Sequence, residues 1–131
     1  MTEEGERNAV ALGRRLGQLS FDRVLVSPLI RARRTAELAG YAKRAEVDDR
    51  VMEMNFGEYE GMLREDVVKT RPGWKYLRDG CPGGETVELV GQRADSVIAE
   101  LCREKKAILI FSHSVFLRVM WYDQTKKAGW G

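Results

Sequence analysis

Apolar and polar residues follow two periods along this chain, and each period predicts its own kind of element. Short apolar runs at Arg23–Val26, Ala45–Val47 and Ala107–Phe111 predict three strands, and the last run is continuous enough to predict burial on both faces. Between the strands, apolar residues recur every three or four positions, most clearly from Thr86 to Glu104. Strands that alternate with helices indicate an α/β fold with a largely parallel sheet.

Further helices and two irregular segments complete the pattern. The helices are predicted to begin at Thr2, to run from Pro28 to about Ala39, to cover Leu63–Lys69 and to start near Val115. The segments 56–61 and 71–84 carry glycine, and the second also carries proline, so both predict irregular structure. The predicted sheet is therefore small for the number of helices around it.

The first helix carries two distinct rows of residues. Leu12, Leu16 and Leu19 form an apolar stripe at helical spacing. A second row of small residues recurs at every fourth position: Gly5, Ala9, Gly13 and Gly17. Because glycine costs a helix about 1 kcal/mol relative to alanine, the small row predicts that another backbone approaches closely there.

The composition is that of a globular chain. With 131 residues, 44% of them hydrophobic and 32% charged, residues 1–131 are expected to form a single domain with a substantial core. The 22 basic and 20 acidic side chains leave a formal net charge of +2. That charge gives no field strong enough to indicate nucleic acid or a membrane surface as a partner.

Cysteine usage and the first residues predict a compartment. Cys81 and Cys102 have neither a disulfide framework nor the spacing of a metal site, so no metal or cofactor is predicted and a reducing cytoplasm is the default. The opening MTEEGERNAV has no apolar centre and is not a signal peptide. No apolar run approaches the ~20 residues of a membrane-spanning helix. We therefore expect a cytoplasmic protein without membrane contact.

Candidate chemistry follows two of the strands. In open α/β sheets, ligands bind beyond the carboxyl ends of the strands, where helix N-termini point inward. Ser27 and Arg31 follow the first strand, and Ser112, His113 and Ser114 follow the last. Arginine offers a planar donor fork that matches phosphate or carboxylate, and free backbone N–H groups at a helix start add to it. These residues can therefore converge on one anion.

Glu53 is a further candidate. It follows the strand-like Val51-Met52 and precedes an aromatic, glycine-rich loop. Apolar neighbours such as Met54 and Phe56 favour the protonated form of a carboxyl, so Glu53 can serve as an acid. The same side chain can equally serve as a hydrogen-bond acceptor for the loop, and both interpretations remain open.

Each of the other candidates also has a simpler interpretation. A lone histidine at a strand end is more often a hydrogen-bonded loop residue than a catalyst. Arg31 lies close to Arg33 and Arg34, and such clusters usually form a solvated helix face. The basic stretch 31–44 could also bind nucleic-acid phosphates, but it carries a single aromatic residue, Tyr41, which argues against that partner.

Four stretches carry motifs in a fixed order. They are MTEEGERNAVALGRRL, VLVSPLIRARRTAELA, MEMNFGEYEG, and CPGGETVELVGQRADSVIAEL followed by ILIFSHSVFLRVM. They resemble the histidine phosphatase superfamily, in its phosphoglycerate-mutase-like branch. There the matching parts are the helix after the substrate loop, a Ser-Pro-Leu-x-Arg-Ala-x-x-Thr-Ala signature, a Glu-x-x-x-Gly-x-Trp/Tyr-Glu-Gly segment, and a Gly-Gly-Glu helix before the second-histidine strand. The resemblance covers about residues 1–120.

The resemblance implies a three-layer sandwich and a phosphate pocket without metal or cofactor. Arg31 would bind the phosphoryl oxygens, with Ser27 and Ser114 as further substrate-binding residues. Glu53 would be the general acid that protonates the leaving oxygen. His113 would be the second histidine, a hydrogen-bond donor to the phosphoryl group. The implied ligand is a small phosphorylated molecule or inorganic phosphate, hydrolysed or transferred through a phosphohistidine.

The sequence departs from the family at one decisive motif. The family's nucleophile is the histidine of an Arg-His-Gly motif on its first strand, and His113 is the only histidine here. We therefore expect a truncated member, without the first strand and the last, whose activity is impaired. A non-catalytic phosphate-binding or assembly module on the same fold is one alternative. Reassignment of His113 as nucleophile is the other, and the substrate itself is not fixed by the sequence.

An absent central strand predicts a change in assembly. Unpaired backbone groups cost ~1–3 kcal/mol each when buried, and an open strand edge invites pairing with another chain. The domain as a whole is stable by only about 5–15 kcal/mol. We therefore expect a homodimer that covers the open edge, with a monomer of contracted sheet as the alternative.

Overall fold

The computed structural model describes residues 1–127 and 129, which form a small parallel sheet between helices. The elements run in the order α1 (Glu3–Leu16), β1 (Arg23–Val26), α2 (Ile30–Leu38), β2 (Ala45–Val47), α3 (Arg64–Thr70), α4 (Tyr76–Asp79), α5 (Val87–Glu104), β3 (Ile108–Phe111) and α6 (Ser114–Lys127). Short 3-10 turns lie at Asp49–Val51 and Gly57–Tyr59. Both β2 and β3 pair with β1 in parallel, in the order β2-β1-β3.

The central strand β1 separates two hydrophobic cores. Because side chains alternate along a strand, Leu25 packs on one face of the sheet with α5 and α6, while Val24 and Val26 pack on the other with α2. All three side chains are buried. The result is a helix–sheet–helix sandwich, and the predicted α/β class with a parallel three-stranded sheet is confirmed.

Helix α5 illustrates how the sequence determines one layer. The Thr86 hydroxyl accepts the backbone N–H of Leu89 at 3.3 Å and so caps the helix start. Val90, Ala94 and Val97, at helical spacing, are completely buried against the sheet. The predicted helix is therefore confirmed almost to the residue.

The small-residue row of α1 meets a backbone at one position only. A Cβ at Gly13 would lie 2.5 Å from the Ala39 carbonyl oxygen at the end of α2, so only glycine allows this approach. Ala9 is buried beside it. At Gly5 and Gly17, by contrast, a Cβ would meet the chain start or the helix's own carbonyls. The predicted close approach is confirmed at Gly13 and is wrong for the ends of the row.

Some local predictions are wrong for reasons of packing. Leu16 packs against the core that contains α2, but Leu12 and Leu19 are 39% and 61% exposed, because the close approach of α1 to α2 is at Gly13. The segment 71–84 contains a helix, α4, and Val51 belongs to a 3-10 turn instead of a strand. Strand β3 lies at the edge of the sheet, so most of its side chains are partly exposed instead of buried on both faces.

Within the described residues, no helix is both long enough and apolar enough to cross a membrane.

Candidate functional site

The carboxyl ends of β1 and β3 lie side by side. Val26 is opposite Phe111 in the parallel register, and the Ser27 N–H donates to the Phe111 carbonyl at 2.9 Å, which extends the pairing by one residue. The residues after each strand therefore leave the sheet at the same level. This register brings Ser27 next to His113 although 86 residues separate them.

A pocket of about 330 Å³ opens at this edge of the sheet. Its walls come from the start of α2, the segment after the Asp49–Val51 turn, and the junction of β3 with α6. The lining residues are Arg31, Ala32, Thr35, Glu53, Phe111, Ser112, His113 and Ser114. Four of the five predicted site residues thus share one pocket, while the fifth, Ser27, lies behind His113.

His113 is held between the pocket and the interior. Its side chain is buried, with 9% of the residue exposed, and its Nε2 lies 2.8 Å from the Ser27 Oγ. Burial lowers the pKa of His113 below its ordinary value of 6.5, the negative charge of Glu53 opposes that shift, and the positive charge of Arg31 adds to it. At neutral pH the ring is therefore mainly uncharged.

Arg31 supplies a cation at the mouth of the pocket. It lies in the first turn of α2 and is exposed. Its backbone carbonyl accepts a hydrogen bond from the Thr35 hydroxyl at 2.9 Å, a contact within helix α2 that does not involve the guanidinium. Among residues 1–127 and 129 its guanidinium has no hydrogen-bond partner, so its donor fork is available to a ligand in the pocket.

The Glu53 carboxylate is bound to the start of α6. Oε1 accepts the N–H groups of Met54 at 3.0 Å and Phe116 at 2.9 Å, and Oε2 accepts the Val115 N–H at 3.2 Å. The prediction that free N–H groups at this helix start would add to anion binding is therefore wrong for Val115 and Phe116.

Arg93 of α5 fixes the segment that presents Glu53. Its Nη1 donates to the carbonyls of Arg50 at 2.8 Å and Met52 at 3.0 Å. Its other nitrogens form a two-point ion pair with Glu85, at 2.9 Å for each bond. Burial disfavours the charge of Glu85, but the bonds from Arg93 and Asn55 prevail and lower its pKa. No local motif indicates this arrangement, because the bonded carbonyls lie more than forty residues before Arg93.

Two glycines allow the loop after Glu53 to pack against the loop before α5. A Cβ at Gly57, which has φ +55°, would overlap the Pro82 carbonyl, and a Cβ at Gly84 would lie 2.7 Å from the Gly57 nitrogen. Backbone bonds join the loops as well: the Glu85 N–H donates to the Asn55 carbonyl at 2.8 Å. The two loops thus pack closely against each other, next to the segment that carries Glu53.

The chain also matches a known protein family. Residues 1–128 match the sequence model of the histidine phosphatase superfamily (branch 1). The chain belongs to the histidine phosphatase superfamily. The resemblance of the four ordered motifs to this family is thereby confirmed.

Relatives within the superfamily include phosphatases and mutase-like proteins. The chain is 35% identical over 124 residues to an acid phosphatase of Mycobacterium tuberculosis, covering 92% of this chain and 61% of that protein. It is 33% identical over 131 residues to a probable phosphoglycerate mutase of Erwinia tasmaniensis, covering 92% and 60%. The solved structure of a Mycobacterium tuberculosis open reading frame superposes with a TM-score of 0.84 at 34% identity, covering 92% of this chain and 64% of that one.

The chain spans about 60% of the length of these histidine phosphatase relatives. The superfamily membership establishes the fold and the phosphatase and mutase-like kinship. The roles of Ser27, Arg31, Glu53, His113 and Ser114 stay predictions. Over the described residues, no three side chains of His, Cys, Asp or Glu converge in a group that could hold a metal ion.

Proposed function

We propose that the pocket binds the phosphoryl group of a small phosphomonoester, or inorganic phosphate. The observation that supports this most strongly is the presence of Arg31, Glu53 and His113 around one pocket at the ends of β1 and β3. Arginine matches phosphoryl oxygens with a two-point fork, and a neutral imidazole can donate one further hydrogen bond. The kinship with an acid phosphatase supports the same ligand class.

Each pocket residue has a distinct role in this proposal. Arg31 pairs with the equatorial oxygens and offsets their charge, which is the main requirement of phosphoryl transfer. His113 donates to a phosphoryl oxygen, and the exposed Ser114 hydroxyl donates at the rim. Glu53 would donate a proton to the leaving oxygen if a nucleophile attacked the phosphorus, a step that contributes about 10²–10⁴-fold in general acid catalysis. Ser27 stays a predicted contact of the substrate.

We infer that the 131-residue chain binds phosphate but turns over phosphomonoesters slowly or not at all. The phosphohistidine chemistry implied by the family needs a nucleophilic histidine beside the assisting one, and this chain has a single histidine. His113 can fill only one of these two roles, since its Nε2 already faces the Ser27 hydroxyl at 2.8 Å. A phosphate-binding or assembly module is therefore the form of the function that the pocket supports best.

Binding can be measured on the one imidazole of the chain. Phosphate should shift the NMR signals of His113 in a saturable way, and Arg31→Ala should weaken the affinity about tenfold or more, because it removes a charge-assisted contact of about 1.5–3 kcal/mol. Arg33→Ala is the matched control, since Arg33 is an exposed arginine of the same helix that does not line the pocket. Equal losses in both variants would show that only general positive charge is at work.

Turnover separates the module from an enzyme with a reassigned nucleophile. We expect little or no release of phosphate from an aryl phosphate. Robust turnover that disappears in His113→Ala, together with a covalent phosphohistidine, would instead establish His113 as the nucleophile. Turnover that survives this change would come from a contaminant.

We also propose that the chain acts as a cytoplasmic homodimer. Strand β3 has β1 on one side only and is an edge strand without proline or charge, a kind of edge that invites pairing. Cys81 and Cys102 are both free thiols, a state that a reducing compartment maintains. Sedimentation over a dilution series tests the dimer: a monomer at all concentrations, with concentration-independent unfolding, would contradict it.

A further inference from the structure

The Ser27 hydroxyl lies between two partners beneath the pocket. The side chain has no exposed surface. Its Oγ accepts the backbone N–H of Leu29 at 3.3 Å, and it lies 2.8 Å from Nε2 of His113. Ser27 itself does not line the pocket. Its position therefore suits a group that acts through His113.

The partners of the Ser27 hydroxyl determine which group donates in the Ser27–His113 hydrogen bond. A serine hydroxyl carries one proton, and a buried proton without an acceptor costs ~1–3 kcal/mol. Leu29 contributes a donor, so it cannot take that proton. Among residues 1–127 and 129, Nε2 of His113 is the one acceptor within reach of the Ser27 hydroxyl. The hydroxyl therefore donates to Nε2, and Nε2 carries no proton.

We propose that Ser27 is a positioning residue that holds His113 in the Nδ1–H tautomer, so that the uncharged ring offers an N–H to an anion in the pocket. In a neutral imidazole one nitrogen donates and the other accepts, and the hydrogen bond at one nitrogen sets the role of the other. Nδ1 has no hydrogen-bond partner within the described part of the chain, so it is the nitrogen left for a ligand. The identity of that anion as a phosphoryl group rests on the proposed function.

This arrangement makes anion binding independent of ring protonation. The charged side chains that face His113 are Glu53 and Arg31, from the segment before α3 and from α2. An imidazolium would bind an anion only at pH values below its pKa, whereas a fixed Nδ1–H donates above it as well. Ser27 thus supplies the donor state that a buried, uncharged histidine would otherwise reach only in part.

The tautomer can be read directly, because the chain has a single histidine. The ¹⁵N chemical shifts of its two ring nitrogens, measured without phosphate at about pH 8, distinguish Nδ1–H from Nε2–H. We expect the Nδ1–H pattern in the wild-type chain. The opposite pattern would overturn the proposal at once, whatever any variant does.

Variants test whether Ser27 is the cause. Ser27→Ala should return His113 toward the Nε2–H form that a free histidine side chain prefers, and should weaken phosphate binding about tenfold, while Ser27→Thr keeps a hydroxyl and should retain the tautomer. Ser112→Ala is the matched control for the tautomer, because the Ser112 hydroxyl donates to the Val51 carbonyl and not to the ring. An unchanged tautomer in a folded Ser27→Ala would contradict the proposal. If Ser27→Ala does not fold, Ser27→Cys, a weaker donor, takes its place.

The two hypotheses fail separately. A wild-type Nδ1–H tautomer lost in Ser27→Ala, with no response of either protein to phosphate, would overturn the proposed function and leave the positioning role intact. Phosphate binding with an unchanged tautomer in Ser27→Ala would support the proposed function and overturn the positioning role of Ser27.

Discussion

The carboxylate of Glu53 accepts the backbone N–H of Phe116 at 2.9 Å and thereby ties the middle of the chain to the start of α6. A negative charge at this position also favours the helix, whose N-terminus carries partial positive charge. The residue predicted to act as an acid is thus at the same time the cap of the helix that follows His113. Of the two interpretations left open by the sequence, the acceptor role is confirmed by the bond from the Met54 N–H of the loop, and the acid role stays a prediction.

Glu53→Gln should therefore lower the free energy of unfolding, and it also removes the carboxyl group predicted to act as an acid. An amide has one acceptor oxygen instead of two, so the bond to the Val115 N–H is lost and an N–H₂ group faces that donor. We expect the free energy of unfolding, measured in urea, to fall by about 1–3 kcal/mol. Glu58→Gln is the control, since that exposed carboxylate has no side-chain hydrogen bond within the described residues. A Glu53→Gln protein as stable as the control would exclude the capping role.

Arg93→Ala should damage both stability and the pocket. The change leaves Glu85 without its ion-pair partner and the Arg50 and Met52 carbonyls without their donor. We expect a loss of about 2–3 kcal/mol in urea unfolding, the scale of bonds to charged groups, together with weaker phosphate binding. Arg103→Ala, an exposed arginine of the same helix, should cost less than about 1 kcal/mol. If phosphate binding is unchanged while stability falls, Arg93 does not position Glu53.

Two glycine-to-alanine changes should have opposite signs. At Gly84 a Cβ would lie 2.7 Å from the Gly57 nitrogen and would also overlap the Asn55 carbonyl, so the contact between the two loops must open, at a cost of about 1–3 kcal/mol. At Gly91, inside α5, a Cβ would meet nothing within 4 Å. Gly91→Ala should therefore stabilise by about 0.5–1 kcal/mol. Thermal unfolding of both proteins checks the pair, and similar midpoints would contradict the close loop contact.

Stability should depend on pH through His113. Its pKa in the folded chain lies below the ordinary value of 6.5, so the unfolded chain binds the proton more readily. The contribution is complete above about pH 6.5 and is lost as the pH falls from there through the folded pKa. Urea unfolding across that window should show the loss, and His113→Asn should remove it. Asp79, with its pKa lowered to about 2, acts only at lower pH, as do Glu46, Asp48 and Glu85, whose pKa values are also lowered. An identical slope in His113→Asn would assign the effect elsewhere.

The strands and the pocket members could be predicted because their signals are local. The bounds of β1 and β2 follow from short apolar runs, and the residues after β1 and β3 meet because parallel strands end at one edge. The environment of each pocket residue could not be predicted. Whether Glu53 faces solvent or the start of α6, and whether Ser27 faces a ligand or His113, depends on bonds between segments far apart in sequence.

The packing of helix α1 could not be predicted from the sequence either. Leu12, Leu16 and Leu19 have the correct period for a buried stripe, yet the neighbouring row of small residues determines which side of α1 meets α2. Periodicity identifies a helix and its two faces, but the choice between a leucine face and a glycine face depends on how closely the partner backbone can approach. Only at Gly13 does the structure show that approach.

The bond from the Ser27 N–H to the Phe111 carbonyl joins two segments of the pocket that are synthesised at different times. One wall is made early during synthesis and the other only after residue 113 has left the ribosome. Until then the Ser27 hydroxyl has no imidazole beside it, and Arg31 lines only one side of the future pocket. The pocket therefore forms only when β3 docks on β1, and a phosphate ion that binds there, as proposed, would favour the docked state.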